Sequence, residues 1–124
     1  MDGVVEIPSI LESVKKNLGS SQEYEAFDHD IVLGINNAFS ILYDEGLNLD
    51  GEPIEITGPD ETWDDVIDNE KIIAKVKEFV FLKTKLLFDP PNNSFLLSHY
   101  ENLLKELEWR IYTEVNEYLP EDVY

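Results

Sequence analysis

The stretch KTKLLFDPPNNSF, residues 83–95, places two consecutive prolines between two long amphipathic segments. Proline disfavours helical geometry in the residue before it, so Asp89 and Pro90 are both predicted to leave the upstream helix. Asn and Ser at 92–94 are residue types that favour the cap of a following helix. Asp89, Pro90 and Pro91 are therefore predicted to form a rigid turn between antiparallel neighbouring helices.

Apolar residues on both sides of this turn recur three and four positions apart, which is typical of amphipathic helices. The upstream helix is predicted from about Asn69 to Leu87, and the downstream helix from about Ser94 to Glu117, before Pro120. The predicted upstream face consists of Ile72, Ile73, Val76, Phe79, Val80, Leu86 and Leu87. The predicted downstream face consists of Leu97, Tyr100, Leu104, Leu107, Ile111, Val115 and Tyr118.

Two further helices are predicted in the first half of the chain. Ser9 and Glu12 have the spacing of a capping box, and Gly19 is a natural end for the helix that they begin. Asp28 is predicted to cap a second helix, which ends near Gly46.

An irregular acidic loop is predicted between the second helix and the long third helix. Residues 47–61 are rich in Gly, Pro, Asp and Glu, and EPIEIT at 52–57 alternates enough for a short hairpin arm at most. Thr62 is placed to cap a short helical turn through Ile67. The expected fold is an all-α small helical bundle of about four main helices.

The length of 124 residues suggests one domain over 1–124, with 118–124 as an acidic C-terminal tail. The start, MDGVVEIPSI, has no basic n-region, so no signal peptide is expected. The sequence has no apolar run of the roughly 20 residues that cross a membrane. It has no cysteine, which excludes disulfides and thiolate metal sites.

The charge of the chain is strongly negative, with 27 acidic residues against 9 lysines and arginines and a net charge of −18. Such a chain repels other polyanions, and it has few cations to neutralise phosphates. We therefore expect no binding to duplex DNA.

Positive charge is concentrated between Lys71 and Leu87, where Glu78 is the single acidic residue. The five lysines of this lysine set are Lys71, Lys75, Lys77, Lys83 and Lys85. They can form internal or solvent-exposed ion pairs, which is the favoured interpretation, or they can face an acidic partner. The last helix also carries Tyr100, Trp109, Tyr112 and Tyr118, more aromatic surface than one element of a small core usually needs. That excess favours an oligomer interface, where Tyr and Trp are enriched.

Catalytic and metal-binding motifs are not evident. The sequence contains no phosphate-binding loop, zinc-protease motif or nucleophile elbow. The acidic segment 44–55 meets Pro53 where a calcium loop requires glycine. His29 lies between Asp28 and Asp30, but three consecutive side chains at a helix start point in different directions. No catalytic residue, metal site or cofactor is predicted, and the chain is not expected to be an enzyme.

The segment AKVKEFVFLKTKLLFDPPNNSFLLSHYENLLKELEWRI, residues 74–111, resembles the small head–tail connector (adaptor) proteins of tailed bacteriophages and prophages of Gram-positive bacteria. The carrying features are FVFLKTKLLFDPP, a short polar gap, Phe95 and the helix with ELEWR. Upstream, YEAFDHDIVLGINNAFSILYDEGL and TWDDVI match in the same order. The resemblance covers roughly residues 10–112.

The resemblance implies a structural virion protein that forms a ring below the portal, through which genomic double-stranded DNA passes without specific binding. The implied partners are copies of the chain, which we expect to form a dodecamer, the portal protein and a tail-side connector or stopper protein. The implied location is the head–tail interface of the virion, after synthesis in the bacterial host cytoplasm and with no membrane contact. The lysine set and the four aromatic residues are candidate contacts with a neighbouring copy or the portal. The alternative is an acidic helical regulator that binds a basic protein partner by mimicking DNA.

Overall fold

The computed structural model describes residues 9–20, 24–49, 51–67 and 69–116. In these ranges the chain forms the helices α1 (Ile10–Asn17), α2 (Asp28–Asp44), α3 (Trp63–Val66), α4 (Glu70–Phe88) and α5 (Ser94–Asn116). The all-α class is confirmed, with four main helices and one short helical turn. The predicted helix end at Glu117, together with Tyr118, Pro120 and the acidic tail 118–124, lies outside the described residues.

The core surrounds α4, which packs against α5, α2 and α1. Val76 and Phe79 of α4 are fully buried, and α5 contributes Leu104, Leu107 and Ile111. Burying an apolar side chain of this size stabilises a fold by about 1.5–3 kcal/mol. α4 is therefore the central helix of the bundle.

The first two helices begin differently. In α1, the Ser9 hydroxyl accepts the Glu12 amide at 3.1 Å and the Glu12 carboxylate accepts the Ser9 amide at 3.2 Å, so the predicted capping box is present. The prediction that Asp28 caps α2 is wrong, because the cap position is Phe27. Asp28 lies in the first turn, and its carboxylate contacts Lys15 Nζ at 2.7 Å.

The Lys15–Asp28 ion pair explains this difference. The Lys15 side chain is only 2% exposed, and a buried ammonium group needs an opposite charge close by. The Asp28 carboxylate supplies that charge from α2. The same contact holds α1 against the start of α2.

The apolar face predicted for α4 is wrong near its end. Leu87 is 62% exposed, whereas Thr84 is fully buried. The reason is Gly34 of α2, where an added Cβ would lie 3.2 Å from Leu87 Cδ2 and 3.7 Å from Thr84 Cγ2. The missing side chain lets α2 approach α4 closely, so the small Thr84 lies in the interface.

The loop between α2 and α3 follows the predicted alternation without forming a hairpin. Ile54 and Ile56 are both buried. Strand-like pairing in the described residues is limited to one tight turn, in which Leu49 and Glu52 exchange backbone hydrogen bonds of 2.9 and 3.0 Å. Gly51 has a φ of +87°, a left-handed conformation that glycine adopts without steric cost.

A side chain of α2 takes the place of a partner strand. Asn36 Nδ2 donates to the Ile56 carbonyl at 2.9 Å, and the Ile56 amide donates to Asn36 Oδ1 at 2.8 Å. Partly buried backbone groups need such partners. Asn36 therefore fixes the acidic loop to the helical bundle.

A second local contact closes the loop before α3. The Thr57 amide and hydroxyl both donate to Glu61 Oε2, at 2.9 and 2.8 Å. Burial pushes the pKa of Glu61 upward, but these hydrogen bonds outweigh that effect and hold the pKa below its usual value. The Asp65 carboxylate then accepts the Thr62 amide at 3.0 Å at the start of α3.

Candidate assembly surfaces

The turn between α4 and α5 contains Asp89, Pro90 and Pro91, as the sequence predicts. The Asp89 amide still donates to the Lys85 carbonyl at 2.7 Å, so the chain leaves α4 directly after a full helical turn. At the other end of the turn, Asn93 Oδ1 accepts hydrogen bonds from two amides in the first turn of α5, that of Phe95 at 2.8 Å and that of Leu96 at 3.1 Å. Asn93 is thus the residue that caps α5.

The lysine set is spread over both sides of α4. Lys77 Nζ lies 5.8 Å from the ring centroid of Trp63, on the side of α3. Lys75 Nζ lies 3.5 Å from the Glu114 carboxylate, on the side of α5. The spread follows from the 3.6-residue period of the helix. Side chains that are two positions apart in the sequence point about 200° apart around the helix axis.

The other members of the set lie nearer the ends of α4. Lys85 Nζ is 3.6 Å from the Asp89 carboxylate, and Lys71 is exposed in the first turn. The pKa of Glu108 on α5 is raised by burial and by the Glu45 carboxylate. Lys83 and Lys105 offset part of that rise. The structure thus places several of these lysines beside internal partners.

The aromatic residues of α5 also separate. Trp109 is 63% exposed, and its ring stacks on that of Tyr112 with centroids 5.7 Å apart and an interplanar angle of 25°. Tyr100 is partly buried, with its ring 6.0 Å from that of His99. Tyr118 lies outside the described residues. Trp109 and Tyr112 are therefore the pair that presents apolar surface to solvent.

The turn between α4 and α5 carries a second exposed apolar surface, which we call the apolar tip. Phe95 is 84% exposed and Leu87 is 62% exposed, with Phe88 and Leu96 also exposed beside them. Isolated exposed apolar residues are ordinary, but a group at one end of a small domain is typical of a contact surface.

The opposite end of α4 borders an open groove of about 870 Å³, which we call the end groove. Its apolar lining consists of Leu47, Leu49, Val66, Ile67, Ile72 and Val115. Because α4 has 19 residues and rises 1.5 Å per residue, the tip and the groove are separated by about 27 Å along the helix.

The charge of the chain also differs between the groove end and the tip end of α4. Residues 17–70, which include most of the groove lining, contain fifteen acidic residues and no lysine or arginine. Lys71 lies at the groove, whereas residues 79–100, which include the tip, contain two lysines, Lys83 and Lys85, and one acidic residue, Asp89. The molecule is therefore acidic around the groove and close to neutral at the tip.

The family model for phage connector proteins matches residues 10–118, which include all five helices. The chain belongs to this family. No curated protein and no solved structure matches it. The match confirms the resemblance seen from the sequence and identifies a structural component of the virion with a head–tail connector role.

The described part of the connector has no group of three or more His, Cys, Asp or Glu side chains arranged to hold a metal ion. Asp28, one of the two carboxylates beside His29 in the sequence, is paired with Lys15. None of the connector's helices in the described ranges has the length and apolar character needed to cross a membrane.

Sequence reasoning missed the tip and the groove of this connector. Phe95 was seen only as part of the family pattern, although it lies out of phase with the buried residues Leu104, Leu107 and Ile111. That phase difference is the signal that could have identified it as exposed. The groove had no comparable signal, since its walls come from segments far apart in the sequence.

Proposed function

We propose that this connector forms a ring below the portal, through which genomic double-stranded DNA passes. The observation that carries the proposal is the family match over residues 10–118. The proposed partners are other copies of the chain in a dodecamer, the portal protein and a tail-side connector or stopper protein. The connector is made in the host cytoplasm and incorporated at the head–tail interface.

The charge of the chain supports a channel in which DNA moves without being held. Each copy carries a net charge of −18, so a ring of copies is a strongly negative object. Protein–DNA affinity depends on neutralising several phosphates with lysine or arginine, and the chain has only 9 of these residues. DNA inside such a ring is repelled by its wall.

The lysine set supplies positive charge that can offset repulsion between copies. Its members are Lys71, Lys75, Lys77, Lys83 and Lys85, and we propose that they face the acidic surface of the adjacent copy. Their internal ion pairs are no obstacle. Lys85–Asp89 is long at 3.6 Å and its carboxylate is exposed, and such pairs contribute only about 0–1 kcal/mol. Lys75–Glu114 is partly buried but is also long, at 3.5 Å.

The aromatic residues of the last helix supply the apolar part of the proposed contact with a neighbour or with the portal. These residues are Tyr100, Trp109, Tyr112 and Tyr118. The stacked pair is preorganised, because Trp109 and Tyr112 already hold each other in place. Rigid exposed aromatic side chains lose little conformational freedom on binding.

Charge reversal tests this function. The double variant Lys77→Glu, Lys83→Glu should lose ring assembly on the portal while keeping the helical far-UV circular dichroism of the parent. The matched control is Lys16→Glu, Lys105→Glu, which makes the same change in charge at two exposed lysines outside the set. Rings and infectious particles from the first variant would show that the lysine set is only a solvated surface.

A second candidate function is an acidic regulator that mimics DNA and binds a basic protein. The segment 17–70, with fifteen acidic residues and no cation, favours it. Such a regulator would act as a monomer or dimer and would bind a DNA-binding protein in preference to the portal. A pull-down with portal protein against one with a basic DNA-binding protein distinguishes the two functions.

A further inference from the structure

We infer that the apolar tip of one copy docks into the end groove of the next copy, in a head-to-tail contact. This inference rests on the proposed ring and adds a second contact between its subunits, beside that of the lysine set. The occupant of the groove is thus a second copy of the chain, with Phe95 as the inserted side chain.

The tip is built to present its apolar side chains in a fixed position. Asn93 Oδ1 holds the amides of Phe95 and Leu96, and Pro90 and Pro91 restrict the chain just before. Phe95 is nevertheless 84% exposed, so these contacts fix its backbone without burying its ring. A preorganised aromatic side chain in solvent is the kind of group that dominates binding energy at an interface.

The end groove has the matching character. Its apolar floor includes Leu49, Ile67 and Val115. Its volume of about 870 Å³ lies within the roughly 300–1,000 Å³ of ligand pockets, which leaves room for the side chains of the tip. Gly46 forms part of the wall, where an added Cβ would lie 3.2 Å from Val115 Cγ1. The absence of a side chain at this position therefore keeps the groove wall close to the end of α5.

Charge selects a second copy as the occupant. Between Glu78 and Glu101 the chain has one acidic residue, Asp89, which lies beside Lys85. The tip is therefore the part of a −18 chain that another −18 chain can approach with least repulsion. Segment 17–70, which supplies most of the groove lining, is acidic, and Lys71 lines the groove beside Glu70. The net negative charge around the groove attracts Lys83 and Lys85, which lie behind the tip.

The positions of the two surfaces fix the type of contact. Tip and groove lie at opposite ends of α4, so one copy uses its tip and the other its groove, and the tip cannot pair with another tip. Such heterologous contacts close into a ring when the rotation between successive copies allows it. The inference thus predicts proximity of residues 95 and 49 in different copies and no proximity of 95 to 95.

The chain has no cysteine, so engineered cysteines report this contact without interference. Cysteines placed beside the contact leave Phe95 and the groove floor intact: an Asn92→Cys chain, changed at the exposed tip, is mixed with a Glu70→Cys chain, changed at the groove. The mixture is oxidised in two states, free at about 1 M salt, where the screening length is about 3 Å, and gathered on the portal. Mild oxidation should join 92 to 70 about tenfold faster than unassisted collisions do, because docking raises the effective concentration. The controls are the Asn92→Cys chain alone and its mixture with a Tyr24→Cys chain, since Tyr24 is also exposed.

Disulfide-linked dimers of the 92–70 pair, with both controls at the collision rate, support the inference. Equal rates in all three mixtures, free and on the portal, overturn it. Portal binding by the unmodified chain is measured separately by pull-down. Portal binding without the 92–70 disulfide leaves the connector function intact and refutes the docking, whereas the disulfide without portal binding refutes the connector function alone.

Discussion

Replacing Asn36 with alanine tests the link between the acidic loop and the helical bundle. The substitution removes the 2.9 Å bond from Asn36 Nδ2 to the Ile56 carbonyl and the 2.8 Å bond from the Ile56 amide to Asn36 Oδ1. It leaves both backbone groups of Ile56 without these partners beside the buried Ile56 side chain.

The magnitude follows from two opposing terms. A hydrogen bond contributes about 0.5–1.5 kcal/mol net, so the pair contributes about 1–3 kcal/mol. Alanine is a better helix former than asparagine by about 0.6 kcal/mol, which offsets part of the loss. We expect the free energy of unfolding to fall by about 1–2 kcal/mol. The Tm should fall by about 4 °C for each kcal/mol that is lost.

The neighbouring Asn37 provides a matched control, because it is exposed on the same helix and shares the same helix propensity. Asn37→Ala should raise the stability by about 0.6 kcal/mol through propensity alone. Urea titration followed by circular dichroism compares the two variants. If Asn36→Ala is as stable as Asn37→Ala, the bonds to Ile56 contribute nothing and the reasoning is refuted.

Three further predictions concern the turn, one carboxylate and nucleic acid. Pro90→Gly and Pro91→Gly should each lower the stability by about 0.4–1 kcal/mol, by adding freedom to the unfolded chain; an unchanged Tm would show that the turn is loose. Glu108→Gln should stabilise the fold at neutral pH. Burial and Glu45 raise the pKa of Glu108, so the charged form opposes folding above that raised pKa. The gain should shrink as pH falls from the raised pKa to the ordinary value of 4.5, and a gain independent of pH would contradict this cause. Finally, no binding to duplex DNA is expected at physiological salt, and binding that weakens steeply with added salt would identify the lysine set as a nucleic-acid surface.

Much of the fold could be predicted because its signals are local. The capping box of Ser9 and Glu12 involves residues three apart, and the stripes of α4 and α5 repeat within one helix. The errors arose where the partner is distant in the sequence. Asp28 does not cap α2, and its carboxylate pairs with the buried Lys15 of α1. The side chains that α4 buries near Leu87 depend on Gly34 of α2.

The candidate surfaces also divide into features with a local sequence signal and features that depend on distant residues. The lysines and aromatic residues were visible from the sequence, but their distribution around α4 and α5 depends on which neighbours they meet, such as Trp63 for Lys77. The exposure of Phe95 follows from helical phase and was readable in principle. The end groove was not, because segments near Leu49, Ile67 and Val115 meet only after folding.

The most direct test of the connector function is electron microscopy of the purified chain mixed with its portal protein. We expect a closed ring of copies seated on the portal and coaxial with it, with an open channel wide enough for duplex DNA. Portal particles that carry no added ring, under conditions where the chain is folded and in excess, would contradict it.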